Sequence, residues 1–226
     1  MVLNGSDIAR IAPIAEKNII GPDVVLFLWF HSYHKSQLLE TMQRCGRKVN
    51  VDQWADVADK RFIEHLSSQL LLSQVMSADV PIAHASSGRP FLEENDVLLS
   101  ISHTKGAYAV SLSGMQHGID VETWGDRALR VQSMFVNNEE QSLLNGNALL
   151  TTSERTATLL WSAKEAVYKC LDIEGLSFKN DITLTPRGPH QLKAMVKGQC
   201  HPLFVRYNEY EPCVFTCCST EPFSIK

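Results

Sequence analysis

The sequence has no long hydrophobic run and no excess of positive charge. An apolar stretch at residues 24–30 ("VVLFLWF") is far shorter than the roughly 20 residues that a membrane-spanning helix needs, so we expect no membrane span. The N-terminal segment carries Asp7, Arg10, Glu16 and Lys17, which argues against a secretory signal. The formal net charge of −4 over 226 residues offers no general basic surface for nucleic acid. We therefore expect neither a membrane nor a nucleic acid as a partner.

The cysteine spacing of a zinc site is also absent. The six cysteines, at positions 45, 170, 200, 213, 217 and 218, form no C-x-x-C pair. Three of them lie in the apolar stretch "PCVFTCCS", where we predict small core residues on a strand. This use of cysteine fits a cytoplasmic protein best.

Three common patterns of catalytic or nucleotide-binding sites are missing as well. The chain has no Walker loop, no G-x-G-x-x-G and no G-x-S-x-G. Their absence argues against a P-loop enzyme, a dinucleotide-binding domain and a serine hydrolase. A hydrophobic content of 44% and a charged content of 20% are typical of a globular protein, and the length allows one large domain or two small ones.

Strand-like and helix-like patterns occur in both halves of the chain, on either side of a predicted turn at residues 113–118. Strands are predicted at residues 24–30, 97–102, 107–113, 119–122, 182–185, 191–196, 203–207 and 213–218. Helices are predicted at residues 51–76, 128–135 and 153–171, with a further helix beginning near residue 138. The pattern indicates a mixed α and β fold.

The stretch "GIDVE" at residues 118–122 places two acids on one face of a short strand. Side chains two residues apart on a strand point the same way, so Asp120 and Glu122 project together, opposite Ile119 and Val121. Two like charges at this spacing need either open solvent or a cation between them. A solvated strand face and an Mg²⁺ site both fit the pattern.

The stretch "WSAKEAVYKC" at residues 161–170 lies in the strongest predicted helix. Glu165 and Lys169 are one turn apart on the face opposite the apolar stripe. An exposed ion pair is one interpretation. Trp161 and Tyr168 flank the same polar face, which favours a partly covered cleft. Just after the predicted strand at residues 97–102, the stretch "SISHTKG" (residues 100–106) adds His103, either as a hydrogen-bonded loop residue or as part of a site.

Five motifs occur in a fixed order along the chain: "GRPFL" (88–92), "SISH" (100–103), "GIDVE" (118–122), "MFVNNEE" (134–140) and "WSAKEAVYK" (161–169). Their order and spacing, over roughly residues 55 to 185, resemble the 4′-phosphopantetheinyl transferases of the surfactin-synthetase-activating type. The combination is specific, although each motif alone is not.

The resemblance implies an α+β fold of two similar α/β halves. These would be related by a pseudo-twofold axis, with the active site in the cleft between them. We expect an N-terminal half at residues 1–113 with coenzyme A contacts, and a C-terminal half at residues 114–226 with the metal ligands and the catalytic helix. A monomer is expected, because both halves lie in one chain.

The implied reaction moves the 4′-phosphopantetheine arm of coenzyme A to a serine of an acyl or peptidyl carrier protein. It would depend on Mg²⁺ and release adenosine 3′,5′-bisphosphate. By the resemblance, Asp120, Glu122 and Glu165 would bind Mg²⁺. Glu165 would also accept the serine proton, with Lys169 beside the pyrophosphate.

The resemblance also implies a set of coenzyme contacts. Ser102 and His103 would meet the phosphates, and Arg89 with Pro90 would lie near the adenine and the 3′-phosphate. Lys164 would lie at the edge of the cleft, and Arg61 matches a basic position of the first long helix. Further basic contacts to the 3′-phosphate are expected at Arg44, Arg47 and Lys48. The carrier protein is expected to approach the cleft at residues 135–150.

Two other functions fit the same motifs. The first is a different Mg²⁺-dependent phosphoryl or nucleotidyl transferase that uses the same carboxylates. The second is a non-catalytic module that binds carrier proteins, although such a scaffold has no need of three carboxylates and Lys169.

Overall fold

A computed structural model describes residues 16–19, 24–44, 46, 49–54, 57–73, 76, 81–93, 96–145 and 149–223. The strands are β1 (Glu16–Ile19), β2 (Val25–Phe30), β3 (Ile82–His84), β4 (Pro90–Leu92), β5 (Leu98–Thr104), β6 (Ala107–Ser113), β7 (His117–Thr123), β8 (Ile182–Gly188), β9 (Gln191–Val196), β10 (Leu203–Glu209) and β11 (Cys213–Ser219). The helices are α1 (Lys35–Arg44), α2 (Asp59–Ser73), α3 (Arg127–Arg130), α4 (Gln141–Asn145) and α5 (Ser153–Leu171), with 3₁₀ turns at Val51–Trp54 and Gln132–Met134.

The strands form two antiparallel sheets and a short hairpin. The first sheet has the order β1-β2-β6-β5 and the second the order β7-β11-β10-β9-β8, while β3 pairs with β4. The chain passes from the first sheet to the second between Ser113 and His117. A mixed α and β architecture is therefore confirmed, whereas the twofold relation and the division at residue 113 stay predictions.

Three apolar cores arrange these elements in layers. In the first, α2 packs on one face of the first sheet through residues such as Leu66 and Val110, and in the second α5 packs on the second sheet. The third core lies between the sheets, where Leu28 and Ala109 meet Ile119 and Phe215. Strand β6 is consequently buried along its whole length, so its serines are core residues rather than a solvated face.

The structure differs from the predicted helices in two places. The predicted helix at residues 51–76 is a 3₁₀ turn followed by α2, and the one at 128–135 is the single turn α3 followed by a 3₁₀ turn. Helix α1 and the β3–β4 hairpin had no clear pattern in the sequence. For α1 the reason is that the helix buries only two large apolar side chains, Leu38 and Met42.

Arg47 and Lys48 lie outside the described residues. In the described part of the chain, no helix is long and apolar enough to cross a membrane.

Gly118 sets the distance between β7 and α5. A Cβ atom at this position would collide with the backbone of α5 at Ala166, Lys169 and Cys170. The first residue of "GIDVE" is therefore a glycine because the helix backbone crosses the strand there. This close approach brings the acids of the strand next to the side chains of the helix.

We predict that Gly118→Ala lowers the free energy of unfolding by about 1–3 kcal/mol, because the helix or the strand must move to admit the methyl group. Urea unfolding followed by circular dichroism measures this loss. Gly125→Ala is the matched control, since its Cβ would meet no atom within 4 Å. Equal stability of the two variants would show that the contact at Gly118 does not constrain the fold.

Lys164 is a core residue, which corrects the expectation that it lies at the edge of the cleft. Its side chain is fully buried. The ammonium group pairs with the carboxylate of Glu140 at 2.7 Å. It also donates to the carbonyl oxygens of Phe135 and Phe178 at 2.7 Å and of Ile182 at 2.9 Å. Four acceptors surround this cation, so Lys164 joins α5 to three other segments and is excluded from the coenzyme contacts.

Lys164→Met leaves the carboxylate of Glu140 buried without its cation. We expect the free energy of unfolding to fall by about 3–5 kcal/mol, whereas the double variant Lys164→Met/Glu140→Leu recovers part of the loss because no unpaired charge remains. Urea unfolding of the single and double variants measures both effects. A fully stable Lys164→Met protein with weakened coenzyme A binding would restore the position at the cleft edge.

Candidate active site

Strand β7 and helix α5 bring three carboxylates and a lysine together. Ile119 and Val121 pack into the core between the sheets, so the alternate residues Asp120 and Glu122 face the helix. Glu165 and Lys169 lie one helical turn apart on α5. Lys169 Nζ donates to Asp120 Oδ1 at 2.8 Å, which joins the two motifs directly.

Asp120 is the most deeply buried of the three acids, with a residue exposure of 5%. Its Oδ1 atom accepts hydrogen bonds from Lys169 Nζ and from Ser102 Oγ, both at 2.8 Å. Its Oδ2 atom is buried and has no hydrogen-bond partner among the described residues. A buried carboxylate oxygen without a partner is costly, so this atom is suited to a ligand that supplies positive charge.

Glu122 and Glu165 share the same partly buried space. Burial and the adjacent carboxylate of Asp120 raise the pKa of Glu122 to about 7, although Trp161 Nε1 donates a hydrogen bond to it at 3.2 Å. Burial and Asp120 also raise the pKa of Glu165, while Lys169 acts in the opposite direction. Asp120 raises the pKa of both glutamates, and Glu165 also raises the pKa of Glu122. The three acids are therefore close enough to interact electrostatically.

The donor set fits a hard divalent cation in its chemistry. Three carboxylates, one of them with a free buried oxygen, are the kind of ligand that Mg²⁺ takes. Over the described ranges, however, no three Asp, Glu, His or Cys residues are already grouped as ligands around one point. The three carboxylates are therefore ligands of suitable chemistry for Mg²⁺, although the described residues do not hold them as a ready-made cluster.

Strand β5 connects this group to the N-terminal sheet through a row of hydroxyl groups, Ser100, Ser102 and Thr104, called here the hydroxyl row. Besides the bond from Ser102 to Asp120, the row makes three contacts with β7: Ile119 N donates to Ser100 Oγ at 3.0 Å, Val121 N donates to Ser102 Oγ at 3.2 Å, and Thr104 Oγ1 lies 2.9 Å from Thr123 Oγ1. Ser102 Oγ also lies 3.1 Å from Lys169 Nζ.

A cavity of about 560 Å³ lies beside β5 and α2. Three of the predicted coenzyme contacts, Arg61, Pro90 and His103, are among its lining residues. His103 alternates with Ser102 along β5, so the cavity and the carboxylates lie on either side of the same strand. Trp54 and His65, whose rings are 4.5 Å apart, form a further part of the wall.

One ionisable side chain of this cavity, His103, is electrostatically linked to Asp120 and Lys169. Burial lowers the pKa of His103, while Glu64, whose carboxylate is 3.3 Å from the ring, opposes this shift. Lys169 and Asp120 contribute smaller effects on the same pKa. His103 is therefore the side chain that is electrostatically linked to both the cavity and the carboxylate group.

The remaining predicted residues have other partners. Arg89 is half-buried and forms an ion pair with Asp172, just beyond the C-terminus of α5, at 3.9 Å. Arg44 is the exposed last residue of α1. Trp161 lies against Glu122, as its place beside the polar face of the helix indicated, whereas Tyr168 packs near Phe178.

The sequence interpretation did not identify Glu64, Trp54 or His65 as site residues. Glu64 and His65 lie three and four residues after Arg61 on α2, so helical spacing from Arg61 was the signal that could have found them. Trp54 is on a separate 3₁₀ turn, and no local pattern connects it to the cavity.

Comparison with known proteins supports the resemblance in the C-terminal part of the chain. No curated protein matches the chain. Residues 116–214, which contain β7 and α5 with Asp120, Glu122, Glu165 and Lys169, match the family model of the 4′-phosphopantetheinyl transferase superfamily. This match supports the resemblance to the superfamily over residues 116–214, and it does not select the surfactin-synthetase-activating type.

Proposed function

We propose that this chain is an Mg²⁺-dependent phosphopantetheinyl transferase of the surfactin-synthetase-activating type. It would move the 4′-phosphopantetheine arm of coenzyme A to a serine of an acyl or peptidyl carrier protein and release adenosine 3′,5′-bisphosphate. One observation carries the proposal: between β7 and α5, Asp120 accepts a hydrogen bond from Lys169 and lies within electrostatic reach of Glu122 and Glu165, inside the part of the chain that matches the superfamily model.

Asp120, Glu122 and Glu165 would hold the Mg²⁺. When bound, the ion would neutralise charge on the pyrophosphate of coenzyme A and polarise the phosphorus under attack. The free Oδ2 atom of Asp120 is the best-prepared ligand, because it is buried and makes no hydrogen bond within the described structure. Lys169 keeps Asp120 oriented through its bond to Oδ1.

Glu165 would accept the proton of the carrier serine, directly or through a water molecule. The serine oxygen then forms a bond to the β-phosphorus of coenzyme A, and the bond from that phosphorus to the bridging oxygen breaks. The leaving group is adenosine 3′,5′-bisphosphate, and the ammonium group of Lys169 would stabilise its developing negative charge. Only the serine proton and the phosphopantetheinyl group change partners, so no covalent enzyme intermediate is required.

The cavity beside β5 would hold the nucleotide end of coenzyme A. Arg61 can supply positive charge to phosphate groups, His103 can supply a hydrogen-bond donor, and Pro90 contributes an apolar part of the wall. Arg89 would join them by exchanging its long ion pair with Asp172 for a phosphate. Lys164 is omitted because its ammonium group is buried among four acceptors.

The proposed function predicts a mass change on an apo carrier protein incubated with this protein, coenzyme A and Mg²⁺. We expect a gain of about 340 Da, the mass of one phosphopantetheine arm, and we expect EDTA to abolish it. Intact-protein mass spectrometry measures the change. Coenzyme A binding without any gain, over several types of carrier protein, would favour the non-catalytic module. Transfer of a nucleotidyl or a simple phosphoryl group would favour the other transferase.

The proposed function also makes a prediction about the carboxylates. Asp120→Asn and Glu165→Gln should each lower the transfer rate by about 100-fold or more, because each removes a negative charge that would bind the metal ion and, for Glu165, also the proton acceptor. Single-turnover rates measured by mass spectrometry check this. Glu154→Gln, an exposed acid of the same helix, is the control and should keep the wild-type rate. Transfer at the wild-type rate by Asp120→Asn would remove the metal-site assignment.

A further inference from the structure

Between β5 and β7, the serine side chains of the hydroxyl row take the place of the backbone acceptors that a neighbouring strand would provide. Strands β5 and β7 lie at the ends of their sheets, and among the described strands β5 pairs with β6 and β7 pairs with β11. The N–H groups of Ile119 and Val121 therefore point away from β11 and need other acceptors. Ser100 and Ser102 supply them, at 3.0 and 3.2 Å.

Ser102 differs from Ser100 in the additional contacts of its hydroxyl group. Both side chains accept one backbone hydrogen bond from β7 and both residues are buried. Only Ser102 goes on to contact charged side chains, because its hydroxyl donates to Asp120 Oδ1 at 2.8 Å and lies 3.1 Å from Lys169 Nζ. One hydroxyl thus meets the backbone of β7, a carboxylate of β7 and the ammonium group of α5.

These contacts use the hydrogen-bonding capacity of the Ser102 hydroxyl. A serine hydroxyl has one donor hydrogen and two acceptor lone pairs. The hydrogen is directed to Asp120, and the lone pairs face Val121 N and Lys169 Nζ. A direct bond to a phosphate of coenzyme A would need that hydrogen and would break the bond to Asp120.

We propose that Ser102 is a positioning residue that fixes the carboxylate of Asp120 and the ammonium group of Lys169, rather than a contact of coenzyme A. The proposal deepens the proposed function and rests on it for its kinetic test. Ser102 holds Asp120 Oδ1 in place, so that the free Oδ2 atom keeps its orientation. Through the same hydroxyl, the N-terminal sheet controls the geometry of residues that all lie in the C-terminal part of the chain.

The test compares Ser102→Ala with Ser100→Ala, which loses the same kind of bond to β7 but touches no charged side chain of the site. We expect Ser102→Ala to lower kcat by roughly 10- to 100-fold, as for the loss of one hydrogen bond to a charged group. The dissociation constant for coenzyme A, measured by calorimetry without a carrier protein, should change by less than about threefold. Ser100→Ala should keep kcat within about twofold while losing similar stability to urea.

A measurement without turnover separates this inference from the proposed function. The ammonium signal of Lys169 in ¹⁵N-resolved NMR, assigned with Lys169→Arg, reports its hydrogen bonds. It should shift or broaden in Ser102→Ala and remain unchanged in Ser100→Ala. If the wild-type protein transfers nothing to any carrier, the proposed function fails, and this signal still decides the role of Ser102.

Three results would overturn the positioning role. Equal effects of the two variants on kcat or on the Lys169 signal would mean that the hydroxyl row only joins the sheets. A dissociation constant for coenzyme A weakened by about tenfold or more, with kcat unchanged, would mean direct contact with the coenzyme. An unchanged Lys169 signal in Ser102→Ala would mean that the hydrogen bond is not maintained in solution.

Discussion

The site depends on the hydrogen bonds that the carboxylate of Asp120, which is almost completely buried, accepts from two other elements. Its Oδ1 atom holds Ser102 of the N-terminal sheet and Lys169 of α5 at 2.8 Å each, while its own strand belongs to the second sheet. A charged group is stable in such a place only if donors surround it. The three elements are therefore joined at the point where the chemistry is proposed to occur.

Two backbone constraints make that contact possible. Gly118 lets β7 pass against the backbone of α5, so the acids of the strand come within reach of the helix side chains. The hydroxyl row then attaches β5 to the free edge of β7. Together they put the proposed metal ligands on one side of β5 and the cavity with Arg61 and His103 on its other side.

Two lysines of α5 show how the same residue type serves different ends. Lys164 and Lys169 are five residues apart, so they point to different sides of the helix. Lys164 is fully buried, and its charge is satisfied by Glu140 and three carbonyl oxygens. Lys169 remains 28% exposed beside Asp120, where it can still meet a substrate. The first supports the position of the helix, and the second belongs to the candidate site.

The sequence by itself determined strands β2 and β5 to β11 and the long helix α5, because alternation and helical spacing follow from local backbone geometry. It also determined that Asp120 and Glu122 share a face and that Glu165 and Lys169 are one turn apart. Only the tertiary structure decided which polar groups meet across elements. The burial of Lys164, the bond from Ser102 to Asp120 and the place of Glu64 beside His103 all join residues distant in the chain. Such contacts depend on how the sheets and helices pack together. The alternation of residues in a strand or their spacing in a helix carries no information about that packing.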